Sequence, residues 1–400
     1  MKYTKIFTYS FLILLGILIG YENPEIIDKP KKSIKSFFNK DTSNYLAINK
    51  GQLNIKKNDD DFFANSFDLE VKKIKSYDGK TAGLFFNKKK ELKLFSQKGE
   101  IIEKKTKRKI NLPSDFTLES DGGVRSVIYY KENYFGLISR KNNNCYFSSL
   151  INIKNKKKIF DTKCLPEKES VNFAGLGGAF QNLNDSLLIS IGTPTHESEK
   201  IDRLAQNNEY FYGKMLLISK DKNDKEKYIK EIFSKGHRNP QGLSQVDGIL
   251  FSTEHGPQGG DEINIIQKNK NYGWPIVSLG TRYGGKSFNH KLNEKFRSPV
   301  FSFSPSIAPS ALSNCPSNLL NYYSEFICLM GLTLREMSLV VYLIDKKTMK
   351  LFSYEKINLN KRMRHFGINL ETNLFTENDN SFYFSSDNDG IYKAKFKNFR

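Results

Sequence analysis

The chain is short of the residues that small scaffolds and zinc sites depend on. It has four cysteines, five histidines and one tryptophan in 400 residues. A disulfide-stapled miniature fold is excluded by that length, which is enough for one large β domain or two ordinary ones. Cys145, Cys164, Cys315 and Cys328 do not have the close spacing of zinc ligands. Helical periodicity is also scarce, so the pattern reads as all-β.

Rings and positive charge are abundant. Phe (31) and Tyr (20) supply area to pack, and an apolar share of 38% excludes a disordered polyelectrolyte. The formal charge is +20, which raises nucleic acid or an anionic surface as partner. Against that, the chain is crowded throughout with Lys, Asn, Ile and Phe, as AT-rich coding supplies. The basic runs Lys88-Lys89-Lys90, Lys104-Lys105, Lys107-Arg108-Lys109 and Lys156-Lys157-Lys158 carry no interleaved stacking aromatics. They read as solvated turns, and no nucleic-acid partner is expected.

Residues 6–21 are uncharged, mostly apolar and preceded by Lys2 and Lys5, the layout of a secretory signal or signal anchor over 1–21. As a helix the 16 residues would span about 24 Å, short of a hydrocarbon core of about 30 Å, so membrane contact is expected only through this segment. A polar linker over 22–41 follows, and the remainder, 42–400, is expected to form the folded body, in the periplasm or outside the cell. An even cysteine count suits such an oxidising compartment. Three connectivities are open. Closeness in the chain favours Cys145 with Cys164 and Cys315 with Cys328, and four buried free thiols are the alternative.

Short β-rich runs recur at 134–139, 186–191, 214–219, 248–253, 338–344 and 381–386, separated by Asn, Asp, Gly or Pro clusters. The clearest hairpin runs from Phe382-Tyr383-Phe384 through Asp387-Asn388-Asp389-Gly390 to Ile391-Tyr392-Lys393. So many strands exceed one sandwich, and radial four-stranded blades use this length in six or so units. A six-bladed β-propeller is therefore expected, with two separate β domains as the competing reading.

Two loops depart from mere strand patterning: Gly236-His237-Arg238-Asn239-Pro240-Gln241-Gly242-Leu243, and Thr253-Glu254-His255-Gly256-Pro257 on to Gly260-Asp261-Glu262-Ile263-Asn264. They flank one strand, so both reach the same end of one blade. Asp261, Glu262 and backbone carbonyls are the oxygen donors Ca²⁺ accepts, and the fork of Arg238 pairs with carboxylates. A tight turn whose Asp and Arg only stitch backbone remains the plain alternative.

These loops resemble the glucose/sorbosone dehydrogenase family, soluble quinoprotein aldose dehydrogenases built as six-bladed propellers that hold pyrroloquinoline quinone (PQQ) and Ca²⁺. The likeness extends through Gly122-Gly123, Ala205-Gln206, Gly213-Lys214, Asn271-Tyr272-Gly273-Trp274-Pro275, Pro305-Ser306, Leu334-Arg335 and Arg362-Met363-Arg364, over about 115–396. It implies oxidation of a sugar at its anomeric carbon to the lactone, with electrons leaving to an external acceptor. It assigns cofactor contacts to Arg238, Asn239 and Asp121, the last standing where a Gln is usual. Arg335 is the implied cation near the quinone, and Arg362 and Arg364 the implied carboxylate holders. Carbonyls of Gly256 and Pro257 would hold the catalytic calcium, and Glu262 with the Tyr272 carbonyl a structural one.

The likeness breaks on the substrate side. The family's proton-accepting His falls on Phe173 or Asn172, neither a useful base, and the family's Asp after Thr-Gly is gone, with Ile191-Gly192-Thr193-Pro194-Thr195-His196 in its place. His196 is the one surrogate base the sequence offers. His237 and His255 are expected to orient loop backbone, and His365 to pack. The alternative is a propeller that binds a cofactor or glycan without redox turnover.

Overall fold

A computed structural model describes residues 56–400 apart from 59–60, 64–65, 104–105, 225–226, 284–286, 292, 371–372 and 375. The expected signal segment 1–21 and linker 22–41 lie outside the described residues. Six sheets, antiparallel but for one short parallel pairing of Ile368 with Phe85, follow one another, four of them with four strands each in simple neighbouring order. The six-bladed propeller is thus the observed fold, and the division into two β domains is not.

The blades, numbered from their innermost strands, begin at Thr81–Phe86, Val124–Tyr130, Gly177–Leu183, Pro240–Val246, Pro309–Asn314 and Met363–Phe366. Hydropathy sets strand position. Thr81–Phe86 is buried at every residue, as a strand covered on both faces must be. In the fifth blade Ser338–Asp345 is buried along nearly its whole length, while Leu351–Asn358 alternates towards solvent as its outer strand. The predicted strands fall where expected, as at Ser186–Ile191 and Lys214–Lys220, and the predicted last hairpin pairs Phe382–Ser386 with Gly390–Lys397.

The ring is closed by two segments distant in sequence. Asp68–Ser76 pairs antiparallel with Gly390–Lys397, so the sixth blade takes its outer strand from the beginning of the described chain. The inner strands crowd the axis, where small residues are obligatory. A Cβ on Gly83 would meet the Val127 carbonyl oxygen at 2.4 Å, and one on Gly242 the Leu312 amide at 2.6 Å. Both disulfides favoured by closeness form, Cys145–Cys164 and Cys315–Cys328, with Cα–Cα distances of 5.3 and 5.6 Å. No cysteine is free.

Candidate active site

In an antiparallel blade, the loop leading into the innermost strand and the loop joining its second and third strands emerge at the same end. Arg238, Asn239, Arg335, Arg362 and Asp121 lie in such loops, and Arg364 lies at the start of the innermost strand Met363–Phe366. They meet in a cavity of about 430 Å³ at one mouth of the channel, within the range of small-molecule sites. Every blade contributes to its lining: Lys80, Asp121, Gly175, Arg238, Ala308 and Arg362 each precede an innermost strand. Arg335, His196 and Gly256 come from second-to-third strand loops.

Arg238, Asn239, Arg335, Arg362, Arg364 and Asp121, all assigned by resemblance, therefore share one cavity. Two arginines are held in place. Nη1 of Arg238 donates to the carbonyls of Gly256 (2.8 Å) and His255 (3.3 Å), and the guanidinium lies 5.4 Å from the Trp274 ring centroid. Arg364 donates through Nε and Nη2 to Oδ2 of Asp387 at 3.0 and 2.6 Å. Arg335 and Arg362 are exposed to the cavity mouth. Asn239 is turned partly to structure: its Oδ1 accepts from the Gly177 amide (3.1 Å) and from Gln241 (2.6 Å), joining blades three and four.

Beneath this lining is a buried layer that builds the loops. Gly236 adopts φ +79°, and a Cβ there would overlap Oδ1 of Asn271 at 2.2 Å, so only glycine lets the chain turn into His237-Arg238. His237 is fully buried, bonds Glu254 through Nδ1 (3.0 Å) and Ser234 through Nε2 (2.9 Å), and stacks on Tyr272. Glu254 in turn accepts from the Arg238 backbone amide. His255 bonds the Pro309 carbonyl at 2.7 Å, tying blade four to blade five. Both histidines thus orient backbone, as the sequence suggested. The Ala205-Gln206 and Gly213-Lys214 matches form one device: buried Lys214 donates to the carbonyls of Leu204, Ala205 and Tyr212, and Gln206 donates to the Trp274 carbonyl at 2.6 Å. Asp202, which sequence reasoning passed over, accepts from the Trp274 indole (3.1 Å), and burial pushes its carboxyl up to about 6.

On the substrate side, Phe173 is wholly buried against Tyr146, and Asn172 caps its own turn while reaching Asp121 at 3.4 Å. Neither lines the cavity. The segment presents Ala174 and Gly175 instead, so no proton acceptor stands there. His196 does line the cavity; burial, then the charge of Arg238, lower its pKa, keeping the imidazole neutral and able to accept a proton. Asp121 is held below the usual carboxylate range chiefly by its hydrogen bond from Lys80 at 3.1 Å, which makes it the weaker base.

The expected metal ligands divide. Among the described residues no group of three or more His, Cys, Asp or Glu side chains is arranged to hold a metal. Gly256 and Pro257 line the cavity, but Arg238 occupies the Gly256 carbonyl and places a positive charge against it. This pair does not fit a metal ion while Arg238 stays. Glu262 and Tyr272 lie outside the cavity lining. Burial, reinforced by neighbouring Glu254, pushes Glu262 up to about 8, and the two glutamates are cross-strand partners. Packed carboxylates of this kind favour either a bound proton or a cation.

A six-bladed propeller with an arginine-lined cup at one mouth is thus the class this chain defines. The sequence profile of the Glucose / Sorbosone dehydrogenase family matches residues 140–386, and the chain belongs to that family. It is 38% identical over 122 residues to aldose sugar dehydrogenase YliI of Escherichia coli (strain K12), covering 27% of this chain and 33% of that protein. The chain spans about a third of the length of the curated relatives it matches. Its fold is similar to the soluble aldose sugar dehydrogenase of Escherichia coli in the apo-form, with TM-score 0.63 at 20% identity over 82% of this chain and 99% of that one. It is also similar to the PQQ-bound form of aldose sugar dehydrogenase from Streptomyces coelicolor, with TM-score 0.57 at 18% identity over 82% and 98%.

Proposed function

We propose that this chain is an exported, PQQ-dependent aldose sugar dehydrogenase that oxidises a sugar at its anomeric carbon to the lactone. The observation that carries the reading is the convergence of Arg238, Arg335, Arg362 and Arg364 on one cavity. Counting Lys80 and Arg125 as well, six cations line it, against Asp121, Asp261 and, behind Arg364, Asp387. The excess of three positive charges matches a tricarboxylate such as PQQ. A related structure whose name records bound PQQ supports the same assignment. When bound, PQQ supplies the two-electron acceptor for the hydride that leaves the anomeric carbon.

Within the chain, Arg362 and Arg364 hold carboxylates from blade six, and Arg238 and Arg335 fix the ligand from blades four and five. His196 accepts the proton of the anomeric hydroxyl. The electrons then pass to an external acceptor. Calcium is proposed at Glu262 and the Tyr272 carbonyl, where a cation offsets the repulsion from Glu254; no step is assigned to it. The disulfides and residues 6–21 support delivery to the periplasm or beyond.

The test mixes the purified protein with PQQ, Ca²⁺ and a redox dye and screens aldoses. Dye reduction that falls about 10²- to 10⁴-fold in His196→Asn supports the proposal, since that is the usual worth of a general base. A second reading, ligand binding without redox turnover, is favoured by Ala174 and Gly175 at the position where a base is needed. Bound PQQ with no turnover on any aldose would establish that reading instead.

A further inference from the structure

One arginine of the cavity, Arg125, is counted in its charge but given no contact of its own by the resemblance. Arg125 is the second residue of the innermost strand of blade two, Val124–Tyr130. It lines both the cavity and the narrow throat of about 60 Å³ below it, so it stands at the floor of the cup. Its Nη1 donates to the Asp121 backbone carbonyl at 3.0 Å. Its Nε is buried and has no hydrogen-bond partner among the described residues.

Nearby carboxylates are already committed. The Asp121 side chain is taken by Lys80, and Asp387 is taken by Arg364 and by Thr81. Burial, followed by the charge of Arg364, draws the Arg125 guanidinium down to about 10, a sign of two cations close together without enough anion between them. A buried Nε left without an acceptor loses the hydrogen bond it had in water, and a neighbouring cation adds repulsion. Both penalties vanish if an anionic oxygen enters the cavity within reach of both arginines.

We propose that Arg125 is a fifth arginine of the anion site, binding a carboxylate of the ligand at the cavity floor together with Arg364. The proposal rests on the reading of this cavity as a PQQ site, and it deepens that reading by assigning the deepest carboxylate to blades two and six. It makes Arg125 a binding residue, whose removal leaves the free protein no less stable.

The experiment titrates PQQ into the full chain, wild type, Arg125→Met and Arg125→Lys, following PQQ absorbance, and repeats the titration with the trimethyl ester of PQQ. Melting temperatures of the ligand-free proteins are recorded alongside. The expected result is a dissociation constant for PQQ raised ten- to a hundredfold in R125M and three- to tenfold in R125K, which keeps the charge without the fork. The ester is expected to bind wild type and variants alike, and the ligand-free R125M to melt at or above the wild-type temperature. If wild type binds PQQ and R125M and R125K bind within twofold of it, or if the ester shows the same loss, the inference is wrong while the cofactor reading stands. If R125M does not fold, the R125K titration decides alone. Wild type that binds no PQQ overturns both.

Discussion

Asp387 lies 5% exposed at the turn of the last hairpin, and Asp387→Asn is a sharp test of how the cup is held. Its Oδ2 accepts twice from Arg364, at 2.6 and 3.0 Å, and its Oδ1 accepts from the Thr81 amide at 2.9 Å and hydroxyl at 3.2 Å. One carboxylate therefore fixes a cavity arginine and pins blade six to blade one. Asparagine keeps the shape but removes the charge and turns a donor towards the guanidinium. Breaking a buried ion pair from one side costs about 3–5 kcal/mol, a large part of a typical total of about 5–15 kcal/mol.

The pH dependence gives a second handle on the same residue. Burial pushes the Asp387 carboxyl up, but the charge and hydrogen bonds of Arg364 outweigh it and hold it below the ordinary carboxylate range. A depressed folded pKa contributes stability that is complete above the unfolded pKa, about 3.9, and is lost as pH falls through the folded value. Urea unfolding of wild type and D387N should therefore differ by about 3–5 kcal/mol at pH 7, and the gap should shrink below about pH 4. A difference under about 1 kcal/mol, or one that is the same in acid and at neutrality, would refute the argument.

Burial, then Arg364, pulls His365 down to about 4, and its Nε2 meets the Thr81 carbonyl at 3.2 Å. Stability is therefore expected to fall as pH drops from about 6.5 to 4, by about 3 kcal/mol from this group, and His365→Asn should remove that part of the slope in a pH series of unfolding curves. Replacing Cys315 and Cys328 together by Ser opens a 13-residue separation and should cost about 3 kcal/mol in denaturant titrations, a loss that reductant reproduces in wild type. If Glu262 holds calcium, an excess of about a hundredfold over the dissociation constant adds about 2.7 kcal/mol of stability. Glu262→Gln should then erase the rise in melting temperature that Ca²⁺ gives wild type.

The fold was legible where the chemistry is local. Runs such as 186–191 and 338–344 are too apolar to be anything but covered strands, and the Asp387-Asn388-Asp389-Gly390 turn marks its hairpin. The closing strand Asp68–Ser76 was not legible, because its partner lies more than 300 residues away and its alternation of charge and apolar residues fits any edge. The site divides the same way. Arg238 and Arg364 sit in recognisable motifs. Arg125 lies in a strand that reads as ordinary, and its importance comes from its closeness to Arg364 in the folded cavity. Glu254 was visible only as part of a motif; its task, holding the Arg238 backbone, depends on His237 and the strand register. The vacancy at the base position was readable, whereas the placing of Ala174 and Gly175 in the cavity wall, with Phe173 turned away, depends on how one short turn packs.

The way the ring shuts has a consequence for when the cup comes into being. Its arginines are donated by four blades, and the last of them, Arg362 and Arg364, belongs to the sheet completed by the early strand Asp68–Ser76. A newly threaded chain has no finished receptacle until Asp68–Ser76 has met Gly390–Lys397. A small anion that settles there acts as a latch: it reports that the circle is complete and, by mass action, delays its reopening.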